Sequence, residues 1–251
     1  MPVNIVVCMK QVPDSETRVK IGADGKSLDL SSVNFVINPH DEFAIEEAIR
    51  LKEKHGGEVT VLTLGPDRAE NDIRKALAMG ADKAVLLRTE GDFQGDVAIA
   101  LAEQIKTMGS DLVLFGKQAI DEDSSQTAQL VAEYLDLPCV TVVVKLDADP
   151  AAKRLTAERE IEGGTEVVEL PLPAVIGTQK GLNEPRLPNL KGIMAAKKKP
   201  LEKKEPVNQA SKVETVGLEL PPPRAAGKMV SQGLDGVPEL VRLLHEEAKV
   251  I

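Results

Sequence analysis

Apolar residues run along this chain in two alternating rhythms. Short unbroken runs rich in Val, Ile and Leu at 4–9, 58–64, 83–87, 111–115 and 138–145 have the length and β-branching of strands buried on both faces. Between them, apolar positions recur every three to four residues over 38–55, 67–79, 96–108 and 127–135. Glycines stop the first three of these stretches, at Gly56-Gly57, Gly80 and Gly109, which predicts helices of about ten to seventeen residues. Strand followed by helix, repeated, predicts right-handed βαβ units and an α/β fold with a doubly wound parallel sheet.

Two other segments alternate with period two and so predict hairpins with one wet face. One joins 17–21 to 27–37 through Gly22-Ala-Asp-Gly25, and the other joins 154–161 to 165–170 through Glu162-Gly-Gly164. A short run at 173–177 is fit to return to the sheet as a strand. From Asn183 regular structure thins out. Residues 200–235, with Pro221-Pro-Pro223, read as an extended arm, and 237–249 as a short amphipathic helix through Leu240, Leu243 and Leu244. The division expected is an α/β domain over 1–182, a loop and basic run over 183–204, and an arm over 205–251. Such an arm has little core of its own and should pack on something, a different chain included.

Composition narrows the function. The net charge of −9 and the absence of Trp, with one Tyr and four Phe, argue against a nucleic-acid partner, since neither a basic footprint nor stacking platforms are present. Cys8 and Cys139 sit in apolar runs and read as small buried hydrophobes, which suggests a reducing compartment. The first residues enter a strand without a basic-then-apolar signal, and no apolar run reaches membrane-spanning length. The expectation is a cytoplasmic protein of bacterial type with no direct membrane insertion.

The stretch 112–132 carries most of the candidate chemistry. It reads as a buried strand, a polar loop and a helix, with Asp121, Asp123, Ser124 and Ser125 all of capping type. In an open α/β sheet, ligands sit beyond the carboxyl ends of strands, and a helix N-terminus offers free N–H groups to a phosphate. Asn38-Pro-His-Asp41 is a helix start, with Asn38 as N-cap, Pro39 in the first turn and Asp41 placed to complete a capping interaction. It serves as a cap alone or as a cap that also touches a ligand. No phosphate loop, no G-x-G-x-x-G and no Cys/His cluster is present, and the three histidines, His40, His55 and His245, suggest no triad. Asp121 and Asp123 could hold a cation with a phosphate, but capping and loop orientation suit them better, and His40 reads as a cap-region or ligand-facing residue rather than a base. Binding fits this inventory better than catalysis. Further on, Leu187, Leu190, Ile193 and Met194 beside Lys197-Lys-Lys199 make either a solvated charge run or an apolar docking spot with a basic rim.

Several segments together resemble the β subunit of electron transfer flavoproteins. They are Lys10-Gln-Val-Pro-Asp14, Asn38-Pro-His-Asp-Glu-Phe-Ala-Ile-Glu-Glu-Ala48, Ala76-Leu-Ala-Met-Gly-Ala-Asp82, Gly116-Lys-Gln-Ala-Ile-Asp121, Gln126-Thr127, Glu158-Arg-Glu-Ile-Glu-Gly-Gly164, Leu172-Pro-Ala-Val175, Asn183-Glu-Pro-Arg186 and the run from Ile193 to Lys199. The resemblance covers nearly the whole chain in order. It implies a Rossmann-like fold of the adenine nucleotide α-hydrolase-like kind, and a heterodimer with an α subuni that holds most of the redox-active FAD. Electrons would pass from an acyl-CoA-type dehydrogenase, as in fatty acid β-oxidation, to that FAD and on to a membrane quinone oxidoreductase. The subunit itself would be an electron-carrier component rather than a catalyst on its own, with a structural AMP. Carried over by position, the AMP contacts would be Cys8, Asn38, Pro39, His40, Asp41, Leu64, Asp121, Glu122, Asp123, Ser124, Ser125, Gln126, Thr127, Ala128, Gln129, Leu130, Val131 and Ala132. Leu190, Ile193 and Met194, rimmed by Lys197 and Lys198, resemble the loop that anchors the dehydrogenase, and Glu160 matches a position that orients the partner's FAD domain.

Electron-bifurcating relatives hold a second FAD in place of AMP, take a hydride from NADH, and usually read Gly-Asp-Thr-Ala-Gln-Val-Gly after Ala-Ile-Asp. This chain reads Glu122-Asp-Ser-Ser-Gln-Thr-Ala128 there, closer to the AMP form. A stand-alone adenine-nucleotide sensor is a further reading from another class, and the long arm speaks against it.

Overall fold

The computed structural model describes residues 2–90, 93, 95–207, 214–224 and 226–251. The chain runs β1 (Val3–Cys8), β2 (Gln11–Pro13), β3 (Phe35–Ile37), α1 (Pro39–His55), β4 (Gly57–Gly65), a 3₁₀ turn at Asp67–Ala69, and α2 (Glu70–Met79). It continues through β5 (Lys83–Arg88), α3 (Val97–Lys106), β6 (Leu112–Gly116), α4 (Thr127–Leu135), β7 (Cys139–Asp149), β8 (Arg154–Ile161), β9 (Gly164–Pro171) and β10 (Ala174–Thr178). The last elements are α5 (Leu190–Ala196), β11 (Leu201–Lys204) and α6 (Val237–Leu243), which widens into a final turn at Leu244–Ala248.

The main sheet has nine strands in the order β11-β5-β4-β1-β6-β10-β7-β8-β9. All neighbours from β11 to β7 pair in parallel, and β8 and β9 extend the sheet as antiparallel strands. This is the doubly wound α/β sheet expected from the strand–helix rhythm. Because side chains alternate across a strand, β1 sends Val3, Ile5 and Val7 to one layer and Val6 and Cys8 to the other. The first layer is closed by Ala44, Ile45, Ala48 and Ile49 of α1 and by Ile73, Ala76 and Leu77 of α2. The second is closed by Leu101, Ala102 and Ile105 of α3 and by Ala128, Val131 and Ala132 of α4. Alanines on the inner helix faces let the helices lie close to β-branched strands, which is how a core nearly free of aromatic rings is filled.

Two expectations are revised. The hairpin over 17–37 does not form as a ladder. One antiparallel bridge joins Ile21 to Leu28, and Phe35–Ile37 instead pairs with Gln11–Pro13 in a separate two-stranded sheet. Val19, Leu28 and Leu30 stay exposed, so the alternating pattern has no second surface to bury against and does not propagate. The run at 173–177 does return to the sheet as expected: as β10 it lies between β6 and β7 and is buried throughout. The segment expected to begin the arm, near 201, instead adds β11 in parallel to β5, with Leu201 packed on the core. The second hairpin, β8–β9, forms over its full length.

Candidate functional site

The strand order reverses between β1 and β6: the chain goes from β1 outward to β4 and β5, then crosses to β6 and β10 on the other side. The crevice beyond the carboxyl ends of β1 and β6 is where such a sheet accommodates a ligand. Three segments meet there, and one buried carboxylate joins them. Asp41 accepts from the backbone N–H of Lys10 at 2.7 Å, just after β1, and from that of Gly116 at 3.0 Å, the last residue of β6. The side-chain amide of Asn38 donates to Gln118 O at 2.9 Å and accepts from Ile120 N at 3.3 Å, while its backbone N–H donates to Lys10 O at 2.9 Å.

Asn38 is the N-cap residue of α1 with Pro39 in the first turn, as expected, but neither Asn38 nor Asp41 caps the helix through its side chain, which corrects the expected capping interaction. Pro39 has no N–H to satisfy, and the Asp41 N–H reaches Asn38 O at 2.9 Å, so the first turn is closed by backbone and leaves both side chains to tie loops together. Gly116 makes this approach possible. A Cβ there would run into Asp41 Oδ1 and stand 2.6 Å from the His40 carbonyl carbon. Burial raises the Asp41 carboxyl to about 7, against the opposing pull of the Lys10 N–H, the Asn38 amide and the Gly116 N–H. Burial, with Asp41 adding to it, also pushes the neighbouring Cys8 thiol well up, so Cys8 is a packing residue rather than a nucleophile.

The loop after β6 is held by its own side chains. Gln118 donates to Asp123 Oδ1 at 2.8 Å and accepts from Ser125 Oγ at 3.1 Å. Lys10 Nζ pairs with Asp121 at 2.9 Å and with Glu122 at 3.5 Å. Asp123 and Ser125 take positive φ, 50° and 51°. Neither of them, nor Asp121 or Ser124, caps α4. The N-cap is Gln126, whose side chain makes no capping bond, a second correction to the expected capping. The first intrahelical bond runs from Leu130 N to Gln126 O at 3.0 Å, so the N–H groups of Thr127, Ala128 and Gln129 have no partner inside the helix. The donors at this positive helix end stay free, and the nearby carboxylates of Asp121 and Glu122 turn to Lys10 and that of Asp123 to Gln118. His40 faces the same loop. Its Nδ1 is buried without a partner among the described residues, and burial, then the charge of Lys117, lowers its pKa against the opposing effect of Asp123.

Beneath the loop, Cys8, Leu62, Phe115, Ala128, Val131 and Ala132 form one apolar cluster with Leu64 packed on it. The structure thus gathers Cys8, 38–41, Leu64, 121–128, Val131 and Ala132 around the crevice, while Gln129 and Leu130 lie exposed on α4. Lys10, Gly116, Gln118 and Thr178 were not singled out as site residues. The Thr178 hydroxyl donates to Phe115 O at 3.0 Å and His40 O at 3.3 Å, pinning the end of β10 to the same place. Lys10 lies in Lys10-Gln-Val-Pro-Asp14, which breaks the first strand, and Gly116 and Gln118 lie in Gly116-Lys-Gln-Ala-Ile-Asp121, so the sequence signals their segments but not their contacts, and it gives no sign of Thr178. A cavity of about 500 Å³ lies elsewhere, at the amino ends of β1, β4 and β5 against the last turn of α3. Among the described residues no group of three or more His, Cys, Asp or Glu is placed to hold a metal, and no helix is long and apolar enough to cross a membrane.

A second surface lies at α5. Asn189 caps it, accepting from Gly192 N at 2.8 Å. Leu187 is 89% exposed, Leu190 77% and Met194 58%, with Ile193 also exposed, and Lys197 and Lys198 follow as an exposed basic rim. Glu160, near the end of β8, accepts from Gln179 Nε2 at 3.2 Å and is exposed.

Residues 27–208 match the family model for the electron transfer flavoprotein domain. The chain is 44% identical to the electron transfer flavoprotein subunit beta of Bacillus subtilis, over 99% of this chain and all of that one. It is 45% identical to the protein of the same name from Syntrophomonas wolfei over 90% of this chain and 89% of that one. With its namesake in Dictyostelium discoideum the identity is 36% over the full length of both.

Proposed function

Because this chain belongs to the electron transfer flavoprotein family as a β subunit, we propose that it pairs with an α subunit and holds an AMP in the crevice between β1 and β6. The electron-carrying FAD belongs to the α subunit, and this subunit acts as scaffold and docking partner. The observation that supports the AMP reading best is the uncapped N-terminus of α4 beside a loop whose acidic side chains are engaged elsewhere. A phosphate there would accept from the amides of Thr127, Ala128 and Gln129. The adenosine would lie toward Cys8, Leu64 and the residues of 38–41, with the unpartnered His40 Nδ1 free to meet a polar atom. AMP supplies no redox chemistry, so its role is to join the three loops that Asp41 and Asn38 already bring together. The alternative, a second FAD that oxidises NADH, is disfavoured by Glu122-Asp-Ser-Ser-Gln-Thr-Ala128 in place of the glycine-flanked sequence.

In this reading α5 docks an acyl-CoA-type dehydrogenase, with Leu190, Ile193 and Met194 entering an apolar pocket and Lys197 and Lys198 at its rim. Glu160 orients the FAD-bearing domain of the α subunit, and a membrane quinone oxidoreductase receives the electrons. Replacing Asp123 and Thr127 with Tyr tests the nucleotide site. Nucleotide content and heterodimer yield should both fall, and full occupancy in the double variant would refute the placement.

A further inference from the structure

A short helix that presents large apolar side chains to solvent needs something to hold it, because seven residues do not sustain a helix alone. Two sets of polar contacts do this for α5. On the approach, Asn183 Nδ2 donates to Phe43 O at 3.0 Å and to Glu47 at 2.9 Å. Arg186 then grips Glu46 through its backbone N–H at 3.1 Å, Nε at 2.8 Å and Nη2 at 3.0 Å, and reaches Glu53 at 2.6 and 3.0 Å. Glu46 is 2% exposed. Burial alone would raise its pKa, and the bonds from Arg186 and Arg50 reverse this, so the glutamate stays charged within α1.

On the exit, Arg74 Nη1 donates to Ala196 O at 2.9 Å and Lys199 O at 2.8 Å, while Lys199 Nζ donates to Leu77 O at 2.9 Å and Ala81 O at 2.5 Å. Lys199 therefore closes the carboxyl end of α2, and burial lowers its pKa. The basic run is divided: Lys197 and Lys198 face solvent, and Lys199 does not belong to the rim. Between the two sets, Gly192 lies so close to Ala78 O that a Cβ would overlap it, and Ala196 is buried on the core.

We propose that Arg186, with Glu46 and Glu53, and Arg74, with Lys199, form a two-ended latch that fixes α5 on α1 and α2, so that its apolar face is ordered before a partner arrives. The proposal rests on α5 being the docking element and adds what holds it in place. These are positioning residues, because their polar atoms face the protein rather than the exposed apolar face. A pre-ordered face spares the association the entropy of ordering a segment.

The test uses the heterodimer. Amide hydrogen exchange over 190–196 should speed up at least about tenfold in Arg186→Met and in Arg74→Met, with amides of β1 and β6 unchanged. Arg186→Lys should recover part of the protection, and Glu53→Gln, which leaves no buried charge unpaired, should show a smaller effect in the same segment. With a purified acyl-CoA dehydrogenase and its acyl-CoA substrate, KM for the dehydrogenase should rise about tenfold in Arg186→Met, while kcat and FAD content hold. Unchanged exchange, or acceleration spread into β1 and β6, would overturn the latch. So would a raised KM without faster exchange, which would make Arg186 a contact residue. If exchange responds as expected but Leu190→Ala leaves KM unaltered, the docking assignment of α5 fails instead, and the latch loses its proposed purpose.

Discussion

Gly116→Ala is the most economical perturbation of the crevice. The new methyl would meet Asp41 Oδ1 and lie 2.6 and 2.7 Å from the carbonyl carbon and Cβ of His40. Real contacts of this kind are a good half-ångström longer or more, and the obstacle is the first turn of α1, so β6 and α1 must separate. Overpacking of this sort costs about 1–3 kcal/mol. Separation also breaks the 3.0 Å bond from Gly116 N to Asp41, a bond to a buried ionisable group worth about 1.5–3 kcal/mol. The total is about 2.5–6 kcal/mol, or a fall in Tm of about 5–24 °C for a chain of this size. Thermal unfolding of the heterodimer, with nucleotide content measured on the same sample, reads both consequences. Gly164→Ala is the control: its Cβ would meet nothing within 4 Å, so it should shift stability by less than about 0.5 kcal/mol. If the two variants unfold alike and keep the same nucleotide, the close approach of β6 to α1 does not define the site.

Asn38→Ala removes both side-chain bonds to the loop after β6 and leaves Gln118 O and Ile120 N unpaired. It should cost about 2–4 kcal/mol in urea unfolding of the heterodimer and lower nucleotide content, and a cost under about 0.5 kcal/mol would rule out the tie. Asp41 should give a pH dependence. Its native pKa, about 7, lies above its ordinary 3.8, so the native state binds the proton more tightly. The stabilisation this brings is full below the ordinary value and is lost as pH rises through about 7. Tm of the wild type relative to Asp41→Asn should therefore decline between pH 5 and 8, and a flat difference would contradict the assigned burial. Leu190→Ala should raise KM for an acyl-CoA dehydrogenase about thirtyfold, as expected for a central apolar anchor worth about 2 kcal/mol, with nucleotide content unchanged. Unchanged reduction rates would remove the docking assignment.

What could be read from the sequence follows from how each feature is encoded. The parallel strands and α1 to α4 announce themselves through periodicity and terminal glycines, and their bounds in the structure differ from those expected by a few residues. β11 could not be read, because Leu201-Glu-Lys-Lys204 carries one apolar residue and pairs only because β5 offers an open edge. β10 was legible as a strand but not in its central place, which depends on the chain returning between β6 and β7. At the site, residue types were informative and partners were not. Asn, Asp and Ser before a helix suit capping as well as they suit long-range ties, and what chose the ties here was Pro39 together with the contact between Gly116 and Asp41, 75 residues apart. Lys199 shows the same limit: three adjacent lysines look alike in sequence, and only packing against α2 separates the third from the other two.

The central claim is that this subunit carries a structural nucleotide in the crevice between β1 and β6 and supports a single flavin held by its partner. The direct test is to purify the chain with its α subunit, denature the complex and quantify the nucleotides released. One FAD and one AMP per heterodimer is the expected result. Two FAD and no AMP would contradict it, and would make the crevice a second flavin site.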